Sequence, residues 1–264
     1  MWRAQVEALE RLGHRTLAID LPGHGARTGE AFTLEGAAAA VHDGVRALTE
    51  GPTTAAPGAH PPRDPTSARG TDDPAPEAVV VGLSLGAYVT LHALARDARG
   101  VGAVVAAGCC TPPTSAMLYG WALLARGIVA MPDGGARLNQ RMAELALPPQ
   151  AAVDLAAGGF ALDVMDDVLR EMRAARPLED LAAIAPPVWI VNGRFDHFRT
   201  RERAFVRAGR DVRLRVIGRA KHLVSLDQPV RFTRVILEAL AIVEERALDR
   251  PGPVQRAEPR RAGI

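Results

Sequence analysis

The stretch Val79-Val80-Val81-Gly82-Leu83-Ser84-Leu85-Gly86 decides the fold. A β-branched apolar run ends in Gly-x-Ser-x-Gly, and over 87–97 the apolar spacing becomes that of a helix. A strand that turns sharply into a helix at a serine is the setting of a nucleophile elbow. Gly82 and Gly86 lack a Cβ, so both are expected to let strand and helix approach while Ser84 takes a strained backbone conformation. The Ser84 hydroxyl then projects at the carboxyl end of the strand. The helix amino terminus adds positive potential where an oxyanion would form.

A serine hydroxyl is a poor nucleophile at neutral pH and needs a base, which in turn needs an orienting acid. Downstream, Pro187-Val188-Trp189-Ile190-Val191-Asn192-Gly193 reads as a buried strand ending in a turn, with Asp196 just beyond it. A further strand is expected over 212–217, leading into Gly218-Arg219-Ala220-Lys221-His222. His222 is the only one of the seven histidines that follows the last strand. Ser84, Asp196 and His222 thus each lie just past a strand's carboxyl end, on one rim of a parallel sheet. Asp180 and Asp211 sit outside strand ends and are weaker candidates for the acid.

These residues resemble the α/β-hydrolase family, and the resemblance covers most of the chain. Asp20-Leu21-Pro22-Gly23-His24-Gly25 looks like the family's turn after an early strand, and 230–247 like its closing helix. The resemblance implies an α/β fold: a mostly parallel sheet flanked by helices, with a helical cap. By motif and order Ser84, Asp196 and His222 match its nucleophile, acid and base. The N–H of Leu85, which follows the nucleophile, matches an oxyanion donor. The family's first strands, and the His-Gly-type loop that gives its second oxyanion donor, have no counterpart here. The strand missing from the family's order would lie between the one ending at Asp20 and the one ending at Val81. A gap is therefore expected inside the sheet. The expectation is that the start is internal to a longer reading frame, or that the protein is a degenerate copy.

Working outward, a helix is expected over 2–12, a short strand over 16–20 and a helix over 33–49 capped by Thr33. Residues 51–77 are rich in Gly, Pro, Ala, Thr and Asp and read as a flexible loop insertion. A strand over 102–107 follows the nucleophile helix. Apolar helices broken by Pro and Gly fill 111–175, the position of the cap in the resembled family. The hydrolase core is expected over 1–110 and 176–248, and a disordered tail over 249–264. Met117, Leu118, Tyr119, Trp121, Leu124, Phe160 and Met165 either line a substrate pocket or pack the cap onto the body.

Composition narrows the function. The chain has 264 residues, enough for one catalytic domain, and its 48% hydrophobic content supports a large core. A net charge of +2 and 4% aromatic residues give no basis for nucleic-acid binding. Cys109 and Cys110 are adjacent, so they staple nothing and do not have zinc-site spacing; a reducing, cytoplasmic setting is expected. No metal, cofactor or membrane span is expected. His24 and His92 read as packing residues, His197 as exposed, and His14, His42 and His60 carry no signal.

The expected activity is serine hydrolysis of a small or medium hydrophobic carboxylic ester, thioester or lactone. The alternatives are a non-catalytic or degenerate hydrolase-fold binding protein, and an acyltransferase in which an alcohol replaces water.

Overall fold

The computed structural model describes residues 1–50, 77–159 and 161–249. The predicted loop over 51–77 falls almost wholly outside the described residues, as do the tail beyond 249, His60 and Phe160.

Four parallel strands form one sheet in the order β1 (Ala78–Leu83), β2 (Val101–Ala107), β3 (Val188–Gly193), β4 (Val212–Ile217). Helix α1 (Arg3–Arg11) and helix α2 (Leu34–Thr49) precede the sheet, and α3 (Leu85–Arg96) joins β1 to β2. Between β2 and β3 come α4 (Ser115–Val129), α5 (Ala136–Ala146), α6 (Pro149–Ala157), α7 (Met165–Glu171) and α8 (Pro177–Ala183). Then α9 (Glu202–Ala208) joins β3 to β4, and α10 (Val224–Asp227) and α11 (Pro229–Leu248) close the described chain.

The side-chain alternation of the strands builds two cores. Val104 and Ala106 of β2, with Val188 and Ile190 of β3, pack with residues of α2, α3 and α8. Ala103, Val105 and Ala107, with Trp189 and Val191, pack under α11 with Leu9 of α1. With both faces covered, the central strands can be apolar at every position, and β2 and β3 are buried throughout. Thr33 caps α2 as its sequence predicts, its side chain accepting from the Gly36 N–H.

The predicted strand over 16–20 is not one. Residues 15–22 donate no backbone–backbone hydrogen bond among the described residues, and Leu17 and Ile19 are exposed. The segment is short and apolar, but a strand needs a neighbour, and among the described residues β1 pairs with β2 alone. A cavity of about 1890 Å³ separates that segment from β1, lined among others by Leu17, Ile19, Val79 and Val81. Substrate pockets usually hold about 300–1,000 Å³, so this space is more than a ligand site. It runs on to Ser84 and His222.

Candidate active site

Ser84 stands between β1 and α3 with φ 53° and ψ −120°, one of two non-glycine residues at positive φ among those described. Such a conformation costs about 1–3 kcal/mol and persists where its surroundings over-determine it. Here the Ser84 N–H donates to the Ala107 carbonyl at 2.8 Å, while its carbonyl accepts from Ala87 and Tyr88 of α3. Gly82 makes the crossing possible: a Cβ there would lie 2.5 Å from the Gly86 carbonyl oxygen and 2.7 Å from Ala87 Cα. Gly86 is different. A Cβ there meets nothing within 4 Å, so the expectation that both glycines are sterically required holds for Gly82 alone.

The loops carrying Asp196 and His222 are joined to each other. Beyond β3, the Arg194 N–H donates to Ile217 and the Phe195 N–H to Ala220, tying the Asp196 turn to the strand leading to His222. Gly193 allows this, since a Cβ would lie 2.0 Å from the Lys221 carbonyl oxygen. Arg219, the other non-glycine residue at positive φ, turns the chain before His222. The Lys221 N–H donates to Asp227 at 2.6 Å, and the Lys221 ammonium reaches the Ala146 carbonyl on α5 at 2.8 Å.

The structure brings all three predicted side chains together. His222 Nε2 is 2.8 Å from Ser84 Oγ, and His222 Nδ1 is 3.0 Å from Asp196 Oδ1. Asp196 is buried and also accepts from the Phe198 N–H at 2.8 Å. Burial pushes its carboxyl upward, but the hydrogen bonds from His222 and Phe198 outweigh it and hold Asp196 below the usual carboxylate range. With Nδ1–H donating to a carboxylate, Nε2 is left to accept from the serine hydroxyl. The Leu85 N–H opens α3, where a helix has no internal acceptor for it.

Several neighbours were not legible as site residues. Gly108 (φ +62°) passes under the imidazole: a Cβ there would lie 3.0 Å from His222 Cε1 and 3.3 Å from Asp196 Oδ2. Its only sequence signal is a glycine directly after an apolar strand. The Phe198 ring packs 4.7 Å from the His222 ring, and the exposed His197 ring lies 5.2 Å from it. Desolvation and then the charge of His222 push His197 below the usual histidine range. Cys109 and Cys110 are buried, and Cys110 Sγ accepts from Asn192. His92 is buried on α3 between Glu35 and Asp180, so both it and Asp180 belong to a helix-packing cluster away from Ser84. His24 packs edge-on against Phe32. Among the described residues no group of acidic, histidine and cysteine side chains suits a metal, and no helix is long and apolar enough to cross a membrane.

Residues 1–235 match a family model described as alpha/beta hydrolase family. The chain belongs to the α/β-hydrolase family. Similar solved structures include a thermophilic esterase from Thermogutta terrifontis, at 22% identity and TM-score 0.65, covering 92% of this chain and 85% of that one. A carboxylesterase structure from Nitrososphaera gargenis aligns at 15% identity and TM-score 0.69, covering 93% and 86%. The enol-lactonase from Burkholderia xenovorans LB400 aligns at 17% identity and TM-score 0.65, covering 91% and 85%. At such identities the likeness is one of fold. No curated protein matches the sequence. Within the family's architecture, β1, α3 and the turns after β3 and β4 are the elements on which this α/β hydrolase carries Ser84, Asp196 and His222.

Proposed function

We propose that this α/β hydrolase cleaves a small or medium hydrophobic carboxylic ester, thioester or lactone through an acyl-serine intermediate. The observation that carries the reading is the continuous relay Ser84–His222–Asp196, with contacts of 2.8 and 3.0 Å. His222 takes the hydroxyl proton as Ser84 Oγ attacks the carbonyl carbon. Asp196, kept ionised by its two hydrogen bonds, orients the imidazole and stabilises the imidazolium. The Leu85 N–H donates to the oxyanion. His222 then protonates the leaving alcohol, and water, activated by the same base, releases the acid. Helices α4–α7 act as a cap over the site, with Met117, Leu118, Trp121 and Met165 among the residues lining the shared cavity.

Losing one oxyanion donor costs about 10²–10³ in turnover. The Leu85 N–H, at the start of α3, is placed to be one such donor. One observation favours a second reading, a hydrolase fold kept for binding: the unpaired flank of β1 lies beside the nucleophile. Hydrolysis of short methyl esters and thioesters, followed by pH-stat, separates the two. The enzyme reading expects turnover that Ser84→Ala abolishes. Folded protein without Ser84-dependent turnover of any ester, thioester or lactone leaves the binding reading. Products formed with added alcohol distinguish hydrolysis from acyl transfer.

A further inference from the structure

We propose that Trp121 and Phe198 form an aromatic clip that selects esters whose alcohol part carries a flat apolar ring. The proposal rests on the ester-cleavage reading above and names the substrate class of that site.

The two rings come from distant parts of the chain. Trp121 is on α4, and Phe198 is in the loop after β3, two residues beyond Asp196. Their centroids are 6.4 Å apart and their planes differ by 17°. Both line the cavity that holds Ser84. Aromatic residues make up only 4% of this chain, so such a pair is not background. The other two tryptophans have packing roles: Trp189 is fully buried, and Trp2 stacks on Phe232. Trp121 remains 40% exposed. It is a large apolar face left open toward the cavity.

The chemistry gives the clip its orientation. Phe198 is a fixed wall, because its own N–H is tied to Asp196 Oδ1 and its ring lies 4.7 Å from that of His222. The base that takes the Ser84 proton must later deliver it to the leaving oxygen, so the alcohol portion of the ester lies on the imidazole side. A ring on that alcohol reaches Phe198 first and Trp121 beyond it. A linear alkyl chain of equal carbon count gains the burial but not the ring–ring geometry, a difference of about threefold to tenfold.

The test compares benzyl acetate with heptyl acetate. Both give the same acetyl-enzyme and release seven-carbon primary alcohols. Wild-type kcat/KM is expected to favour the benzyl ester by about threefold to tenfold. Trp121→Ala is expected to bring the ratio close to one, and Trp121→Phe to restore most of it. Phe198→Leu gives an independent second loss of the ratio. Because the readout is a ratio within each variant, a general loss of fold or rate does not imitate it. A wild-type ratio at or below one, or an unchanged ratio in Trp121→Ala, overturns the clip. Failure of the reading beneath is different: the wild type cleaves neither acetate, and the clip falls with it.

Discussion

The two edges of the sheet are built differently. At β4, Arg213 and Arg215 bring charge to the edge: Arg215 pairs with Glu238 on α11, and the Arg213 guanidinium lies 4.6 Å over the Trp189 ring. Charged edge strands of this kind resist pairing with other chains. At β1, Val79, Val80 and Val81 are half-buried beside a large cavity, facing a segment that pairs with nothing described. Asp196 and His222 hang from the β3–β4 side; Ser84 and the Leu85 N–H hang from β1. The Asp196–His222 half of the candidate site thus rests on the finished flank, and Ser84 with the Leu85 N–H rests on the open one.

The largest effect should come from breaking the finished half. His222→Ala is expected to lower turnover by about 10⁴-fold or more, because a serine without its base loses the relay as a unit. Ester hydrolysis under saturating substrate checks this. A loss below about tenfold would place the base elsewhere.

The elbow itself sharpens the contrast, since one of its two glycines is crowded and the other is not. Gly82→Ala drives a Cβ into the α3 backbone, which cannot yield cheaply. A loss of about 3 kcal/mol or more, or failure to fold, is expected in urea unfolding. Gly86→Ala enters open space on α3 and should change stability by less than about 1 kcal/mol, helix propensity favouring alanine. Equal penalties at both positions would mean that the space at Gly86 is filled.

Hydrogen exchange tests the flank at single amides. Ser84 donates toward β2, and strand alternation therefore aims the Val79, Val81 and Leu83 N–H groups away from it. These three should exchange near the unprotected rate, while Val105 and Ile190 exchange only through larger openings. Protection at Val79, Val81 and Leu83 equal to that at Val105 would contradict an unpaired edge.

The smallest effect is electrostatic and belongs to the finished side. His197 is depressed in the fold, so the unfolded chain binds the proton more tightly. Its contribution to stability is complete above the unfolded value, about 6.5, and is lost as pH falls below it. His197→Gln should flatten the fall in thermal midpoint between about pH 6.5 and 5. Asp196 acts in a separate, more acidic window: its stabilisation is present above about 3.9 and lost as pH falls through its depressed folded value.

The sequence was most readable where function depends on local rules. The strand, turn and helix around Ser84 are legible locally, as are the places of Asp196 and His222 after strands, and the structure brings these three side chains together. The strand expected over 16–20 fails because a short apolar run does not report whether a partner strand is present. Gly108 and Phe198 carry almost no local signal, and Trp121 is legible only as one of the cap residues that either line the pocket or pack the cap. Their roles are tertiary: a backbone passing under an imidazole, and two rings brought face to face from positions far apart in the chain.

The central claim is that Ser84 is a nucleophile activated by His222. Labelling with a fluorophosphonate, read by intact mass and peptide mapping, tests it most directly. The account predicts one phosphonyl group on Ser84 in folded wild-type protein and almost none in folded His222→Ala. No adduct on the folded wild type, or equal labelling of the two proteins, would contradict it.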